Sequence, residues 1–346
     1  MLALDLLRGF FIVVIIVDHL WRWPSLLGFV SGEGRLWVTA GEGFVIISGL
    51  LIGYIRGYKN RDLPLLDVIK KVEMRALLLY AWLVGLTIFY SVLSWYVTFA
   101  DPVPWVEIPK DSWIPLIQNT LLFDYQHPWI HFLYFYTLLL AVTPLAIYLL
   151  RKGLPAVVAA ASFFGYAAGV TYTIEWLQWT PMFFLPAIAG YYLPIIQNWW
   201  TQLSYRAKTS LRTTLYSVVG ASIIASAAAT FLAPADPLAS YLNSIITKQD
   251  FFQFARIPIA LLWFVGFALF FSQFSTIINR LFGWLLLPLG LRSLTAYILH
   301  GSVLFVIAYF LPISENIWYN TLVGILAIIA TLALVSQRHV QKIIPR

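Results

Sequence analysis

Ten apolar stretches follow one another along this chain, each near the ~20 residues that a helix needs to cross the hydrocarbon of a bilayer. They cover residues 6–23, 37–55, 76–98, 129–150, 155–174, 181–199, 215–232, 257–278, 291–311 and 317–335. Only 11% of the residues are charged and mean hydropathy is +0.82. A soluble domain carries about a quarter charged residues. Water therefore cannot cover this surface, and lipid must. The 17% of Trp, Tyr and Phe suits aromatic belts at two membrane interfaces. The expected fold is an all-α polytopic membrane protein. Length alone would allow two domains, but an unbroken run of helices is expected to form one, residues 1–346. No internal repeat stands out.

The first stretch could pass for a signal peptide. It holds Asp5, Arg8, Asp18 and His19 and lacks a small-residue cleavage site, so it reads as a retained helix. Segment 114–123 is too short to span and reads as interfacial or re-entrant, and 281–289 poses the same question.

The net charge of +7 could signal a nucleic-acid partner until the charges are mapped. They lie in short connections between apolar runs, so they set topology, and no nucleic-acid partner is expected. With the N-terminus in the cytoplasm, all but five of the 22 Lys and Arg fall on inside segments. The five are Arg22, Arg35, Lys110, Lys248 and Arg256. The alternation fits ten helices with both termini cytoplasmic, placed in the cell's inner membrane. The longest outside connections, 99–128 and 233–256, either cover an acceptor site or are ordinary solvent-exposed loops.

Ionisable groups inside a span are costly and usually face the bundle interior or a water-filled cavity. Arg8 and His19 are eleven residues apart, which at ~100° per residue puts them within ~20° of one another around the axis, ~16 Å apart along it. Asp5 lies within pairing reach of Arg8. Asp18 points ~100° away from His19, toward a neighbouring helix. A guanidinium can hold a phosphate or carboxylate in fork geometry. An imidazole can act as a general base toward a hydroxyl or carry an acyl group. The alternative is that Arg8 snorkels to the interface and His19 is a hydrogen-bonder of the bundle.

The second stretch contains Glu42, which needs a partner that His19 or Arg35 could supply. Gly41, Gly43, Gly49 and Gly53 around it read as tight helix packing. Ser293 and His300, seven apart, share a face. His300 is either a second site residue or a packed hydrogen-bonder. His127, His131, Tyr134 and Tyr136 read first as an outer aromatic belt and second as site lining. Arg256 either contacts an anionic acyl group or lipid, or caps its loop. There are no cysteines, which excludes disulfides, cysteine-ligated metal and a thiol nucleophile. No Walker-type loop, His-Glu-x-x-His or dinucleotide fingerprint occurs, and the lone histidines lack metal-ligand spacing, so no metal is expected.

Asp5-Leu-Leu-Arg8-Gly9 followed by Asp18-His19 resembles the opening of membrane acyltransferases of the acyltransferase-3 superfamily, including the ten residues between Arg and His. The Asp-His pair, the segment from Glu42 through Ser48 to Gly49, and region 281–305 look most like the OpgC branch, which is associated with succinylating periplasmic glucans. Ser293 to His300 also resembles the Tyr-Leu-x-His helix of the wider superfamily. Helix two departs from the branch: Gly43 follows Glu42 where an apolar residue is expected.

The resemblance implies the reaction class rather than the glucan acceptor. It implies a catalytic role for His19 and a donor-side role for Arg8. Asp18 or Glu42 would orient the imidazole, and Asp5 and Ser48 would stand with Arg8. His300, Ser293, Arg256 and His131 would support the site or bind acceptor. Acyl-CoA would be the cosubstrate, with no tightly bound cofactor, and the acceptor a glycan or glycolipid hydroxyl. A transporter or flippase, using the same buried groups as a substrate or proton path, is the competing expectation. The missing inverted repeat counts mildly against it.

Overall fold

A computed structural model describes residues 2–100, 106–232, 236–247 and 253–344. Parts of both long connections, together with Lys248 and Arg346, lie outside the described residues. The described residues form helices joined by turns and loops, with no strand. Eleven of the helices organise the rest: α1 (Leu2–Leu20), α2 (Ala40–Ile52), α3 (Leu65–Tyr96), α4 (His131–Arg151), α5 (Pro155–Thr171), α6 (Thr180–Tyr191), α7 (Tyr205–Ala227), α8 (Arg256–Gln273), α9 (Ser275–Leu291), α10 (Ser293–Phe310) and α11 (Ile317–Ser336). Helices suit hydrocarbon because each satisfies its own backbone N–H and C=O groups.

Seven described helices are long and apolar enough to cross a membrane: those containing α2, α3, α4, α7, α8, α10 and α11. The other expected spans differ for local reasons. α1 has 19 residues, but three are the charged Asp5, Arg8 and Asp18. α5 ends after 17 residues. The stretch 181–199 divides at Tyr192, because Pro194 in the next helix, Leu193–Gln202, has no N–H to continue the ladder. The apolar piece 281–289 belongs to the 17-residue α9, with Pro288 inside it. Segment Trp113–Leu121 is a nine-residue helix that buries only Leu116 and Thr120, too short to span as expected.

The chain forms two compact units. The first comprises Met1–Leu4, Gly34–Glu73 and Leu139–Ser275. Its centre is the pairing of α2 with α6. A Cβ on Gly49 would land on the Phe183 carbonyl, one on Gly53 on that of Ala187, and one on Gly190 on that of Leu50. Lipid tails are as apolar as leucine, so helices associate through such close backbone packing rather than by escaping water. Beyond Gly53 the helix widens over Gly53–Lys59, and Asn60 N–H reaches back five residues to the Ile55 carbonyl at 3.1 Å. Arg151 closes this end, donating to the carbonyls of Asn60 at 2.5 Å and Leu63 at 3.0 Å.

The second unit comprises Asp5–Glu33, Met74–Leu138 and Thr276–Arg346. α10 is its most enclosed span, 67% buried over its apolar window. α11 returns along it after a short connection. α1 meets α9 where Gly9 faces the Leu286 backbone and Gly290 faces the Asp5 backbone. After α1, the buried Arg22 donates to the carbonyls of Pro312, at 2.9 Å, and Leu311. It thus satisfies acceptors just past the end of α10, where the helix dipole favours a cation.

These contacts predict the effect of one added methyl group. Gly53→Ala and Gly290→Ala should each lower the melting temperature in detergent, since overpacking costs ~1–3 kcal/mol. Gly85→Ala, whose Cβ would meet nothing within 4 Å, should be neutral or stabilising. Equal melting of all three variants would contradict backbone contact at Gly53 and Gly290.

Candidate active site

The second unit joins α1 to α10 through two polar pairs. Arg8 Nη2 donates to Ser293 Oγ at 2.5 Å. His19 Nδ1 and His300 Nε2 are 2.8 Å apart. Because the earlier residue of α1 meets the earlier residue of α10, the two helices run parallel. The shared stripe read from the Arg8–His19 spacing is therefore the face that α1 turns to α10. Ser293 and His300, expected on one face, are its counterparts.

The hydrogen bonds set the imidazole tautomers. His300 Nδ1 bonds the Tyr297 carbonyl, one turn back on α10. A carbonyl only accepts, so Nδ1 of His300 carries the proton. In the neutral ring Nε2 is then the lone pair, and it accepts from His19 Nδ1–H. His19 Nε2 is left as the basic atom. His300 is fully buried, whereas His19 is half-buried. The more accessible ring thus holds the free lone pair, backed by an imidazole that is itself held by main chain. Tyr297 flanks both rings, with centroids 6.3 Å from His19 and 4.9 Å from His300.

Near the other end of the stripe, Arg75, Tyr136 and Asp5 lie within electrostatic reach of the Arg8 guanidinium. Asp5, one turn before Arg8, is half-buried, and so is Asp18 beside His19. His131 is half-buried, and its ring contacts include Tyr134, at 5.6 Å and nearly parallel, and Phe135 at 4.8 Å. The aromatic rings at the start of α4 thus pack on one another.

Glu42, Ser48 and Arg256 belong to the first unit. Glu42 is fully buried. It closes a capping box at the start of α2, accepting from Thr39 N–H at 2.8 Å and Thr39 Oγ1–H at 2.6 Å. Its other carboxylate oxygen forms an ion pair with Arg256, the first residue of α8. The sequence pointed to His19 or Arg35 as the partner of Glu42. The cap turns the carboxylate back toward the N-terminus of α2, and Arg256 is the cation that meets it there. Ser48 is half-buried on α2, beside the Gly49 contact.

One residue of the second unit escaped the sequence reading as a site neighbour. Tyr90 of α3 stacks on Phe305 with centroids 4.8 Å apart, and its hydroxyl is 3.1 Å from Ser302 Oγ, two residues beyond His300. A Cβ on Gly301 would meet that hydroxyl, so glycine makes room for Tyr90 beside the dyad. A lone tyrosine in an apolar run gave no signal of this. His127, read first as an interface residue, is fully buried against Tyr90, Trp129 and Phe305. Burial pushes its imidazole down to about 3. Among the described residues no three His, Asp or Glu converge as a metal site requires.

The family described as OpgC protein has a model that matches residues 1–342. No curated protein and no solved structure matches the chain.

His127 predicts a pH dependence. An unfolded histidine protonates near 6.5, while the folded His127 stays neutral until about pH 3. Between these values the unfolded chain binds a proton that the native chain refuses. The stability present above pH ~6.5 should therefore fall as pH drops toward 3, by at most about 1.4 kcal/mol per pH unit from this group. His127→Phe should flatten the acid side of a melting-temperature profile recorded in detergent. Profiles of the same shape for both proteins would contradict a neutral buried His127.

Proposed function

The chain belongs to the OpgC family, and from that premise we propose a membrane-bound acyltransferase that esterifies a glucan hydroxyl. The donor is cytoplasmic acyl-CoA carrying an acetyl or succinyl group, the acceptor lies on the far side of the inner membrane, and both termini are cytoplasmic. The observation that carries this reading is the His19–His300 dyad, in which the free lone pair sits on the half-buried ring.

His19 Nε2 takes the proton of the acceptor hydroxyl as its oxygen bonds to the thioester carbonyl carbon. The C–S bond breaks, and the imidazolium returns the proton to the sulfur of CoA. An ester and a free thiol are formed. The same lone pair serves if the acyl group rests on the imidazole between two half-reactions. His300 acts through His19: its Nε2 accepts from Nδ1–H and supports the charge that develops on the ring. Arg8, held by Ser293 and close to Arg75, anchors an anionic part of the donor ~16 Å from His19 along α1. Glu42 and Arg256 serve the scaffold of the first unit.

Purified protein given acetyl- or succinyl-CoA and a glucan oligosaccharide should release CoA thiol and form a glucan ester detectable by mass spectrometry. His19→Ala should lower turnover at least ~10³-fold while the protein stays monodisperse. His300→Ala should lower kcat by ~10–10²-fold and move the pH profile, since it tunes His19 without touching substrate. Arg8→Gln should act mainly on KM for the donor. Near-normal turnover in His19→Ala would sink the proposal.

A further inference from the structure

A groove of about 690 Å³ runs between α7 and α8 in the first unit. Its α7 wall includes Arg212, Tyr216, Val219, Gly220 and Ile223, at relative positions 0, 4, 7, 8 and 11, which share one helix face. The α8 wall is Gly266, Phe267, Phe270 and Gln273, with Phe274 just past the helix end. At Gly266 a Cβ would press on the Val219 side chain, so the helices nearly touch there. Toward the start of α7 they part, and Tyr216 O–H donates to Gln273 Oε1 across the gap at 3.1 Å.

Three observations identify an occupant. First, α7 is only 17% buried over its apolar window, so the groove opens to lipid. Second, from Arg212 to Ile223 is eleven residues, ~16 Å of helix, about half the ~30 Å hydrocarbon thickness and so the depth of one leaflet. Third, the charge is one-sided. Arg206, Lys208 and Arg212 cluster at the wide end, and the sequence has no Asp or Glu between Glu175 and Asp236. The Arg212 guanidinium lies 5.4 Å from the Trp200 ring centroid, and no described residue hydrogen-bonds its buried Nε. Trp200, Tyr205 and Tyr216 mark this end as the headgroup level.

We propose that this groove binds a glycerophospholipid with an anionic headgroup. The phosphate lies against Arg212, and one acyl chain runs down the floor over Gly220, Ile223 and Phe267. Basic pockets between membrane helices recognise anionic headgroups by this charge complementarity. None of its lining residues is among those assigned above to acyl transfer, so its test is independent of that activity.

The test uses full-length protein in detergent, incubated with equal amounts of phosphatidylglycerol and phosphatidylcholine, exchanged into lipid-free detergent and examined by native mass spectrometry. Wild-type protein should retain phosphatidylglycerol at least about fivefold over phosphatidylcholine. Arg212→Gln should bring that ratio close to one. Gly220→Phe should reduce retention of both lipids, because its Cβ meets nothing within 4 Å and the ring can occupy the floor without disturbing the fold. Ile223→Trp fills the same floor from an existing side chain and should behave alike. Equal retention of the two lipids by wild type overturns the proposal. So does wild-type retention of phosphatidylglycerol in Arg212→Gln or in both floor-filling variants.

Discussion

Two arginines of the N-terminal segment hold α10 at both ends. Arg8 bonds Ser293 at its first residue, and Arg22 bonds the carbonyls of Leu311 and Pro312 just past its last. Guanidinium groups suit this task because five fixed donors can satisfy acceptors that lipid would leave bare. The two clamps lie on either side of His19, and the register they impose brings it to His300. Rotation of α1 by one residue, ~100°, would carry Arg8 away from Ser293 and His19 away from His300 together. The dyad is thus a consequence of register rather than of any attraction between two neutral imidazoles.

Register alone does not bring helices into contact in hydrocarbon. That depends on how closely backbones can approach, and glycine decides it here. Gly9 and Gly290 let α1 and α9 touch, and Gly49, Gly53 and Gly190 do the same for α2 and α6. In one unit the close crossing involves the backbone of Asp5, which Gly290 faces, and the other unit holds the buried Glu42 paired with Arg256. Breaking a buried ion pair costs several kcal/mol, because the survivor keeps an uncompensated charge. Such pairs are poor sources of stability and good determinants of a single arrangement. That suits Glu42, whose capping box and ion pair together fix where α2 begins and which end of α8 it meets.

Most of this architecture was legible in the sequence because hydrocarbon imposes a length rule that composition reveals directly. The rule weakened where polar residues interrupt an apolar run. α9 contains Asn279, Arg280 and Pro288, so only its apolar part drew notice, yet the helix extends through all of them. Pro194 divided a stretch that hydropathy alone joins. For the candidate site, periodicity carried Arg8, His19, Ser293 and His300, since side chains eleven or seven residues apart share a helix face. Periodicity assigns faces within one helix and says nothing of which helices meet. The partner of Glu42 was therefore missed, since Arg256 lies more than two hundred residues away. Tyr90 was missed for the same reason: its role depends on Gly301 of another helix leaving it room.

The tautomer chain explains why a second histidine, rather than a carboxylate, suits a position behind His19. A buried carboxylate would bring a full charge into a low-dielectric site and would need compensation. A neutral imidazole held by the Tyr297 carbonyl orients His19 at no such cost, at the price of weaker support for an imidazolium. The main-chain carbonyl offsets part of that weakness, because its dipole reaches His19 through the His300 ring. One buried imidazole thus serves as both donor to main chain and acceptor from its neighbour, a pairing available to histidine and to neither Asp nor Glu in ionised form. The arrangement also makes His300 sensitive to its own protonation. A proton on Nε2 removes the acceptor that His19 needs, so the dyad is assembled only while His300 is neutral.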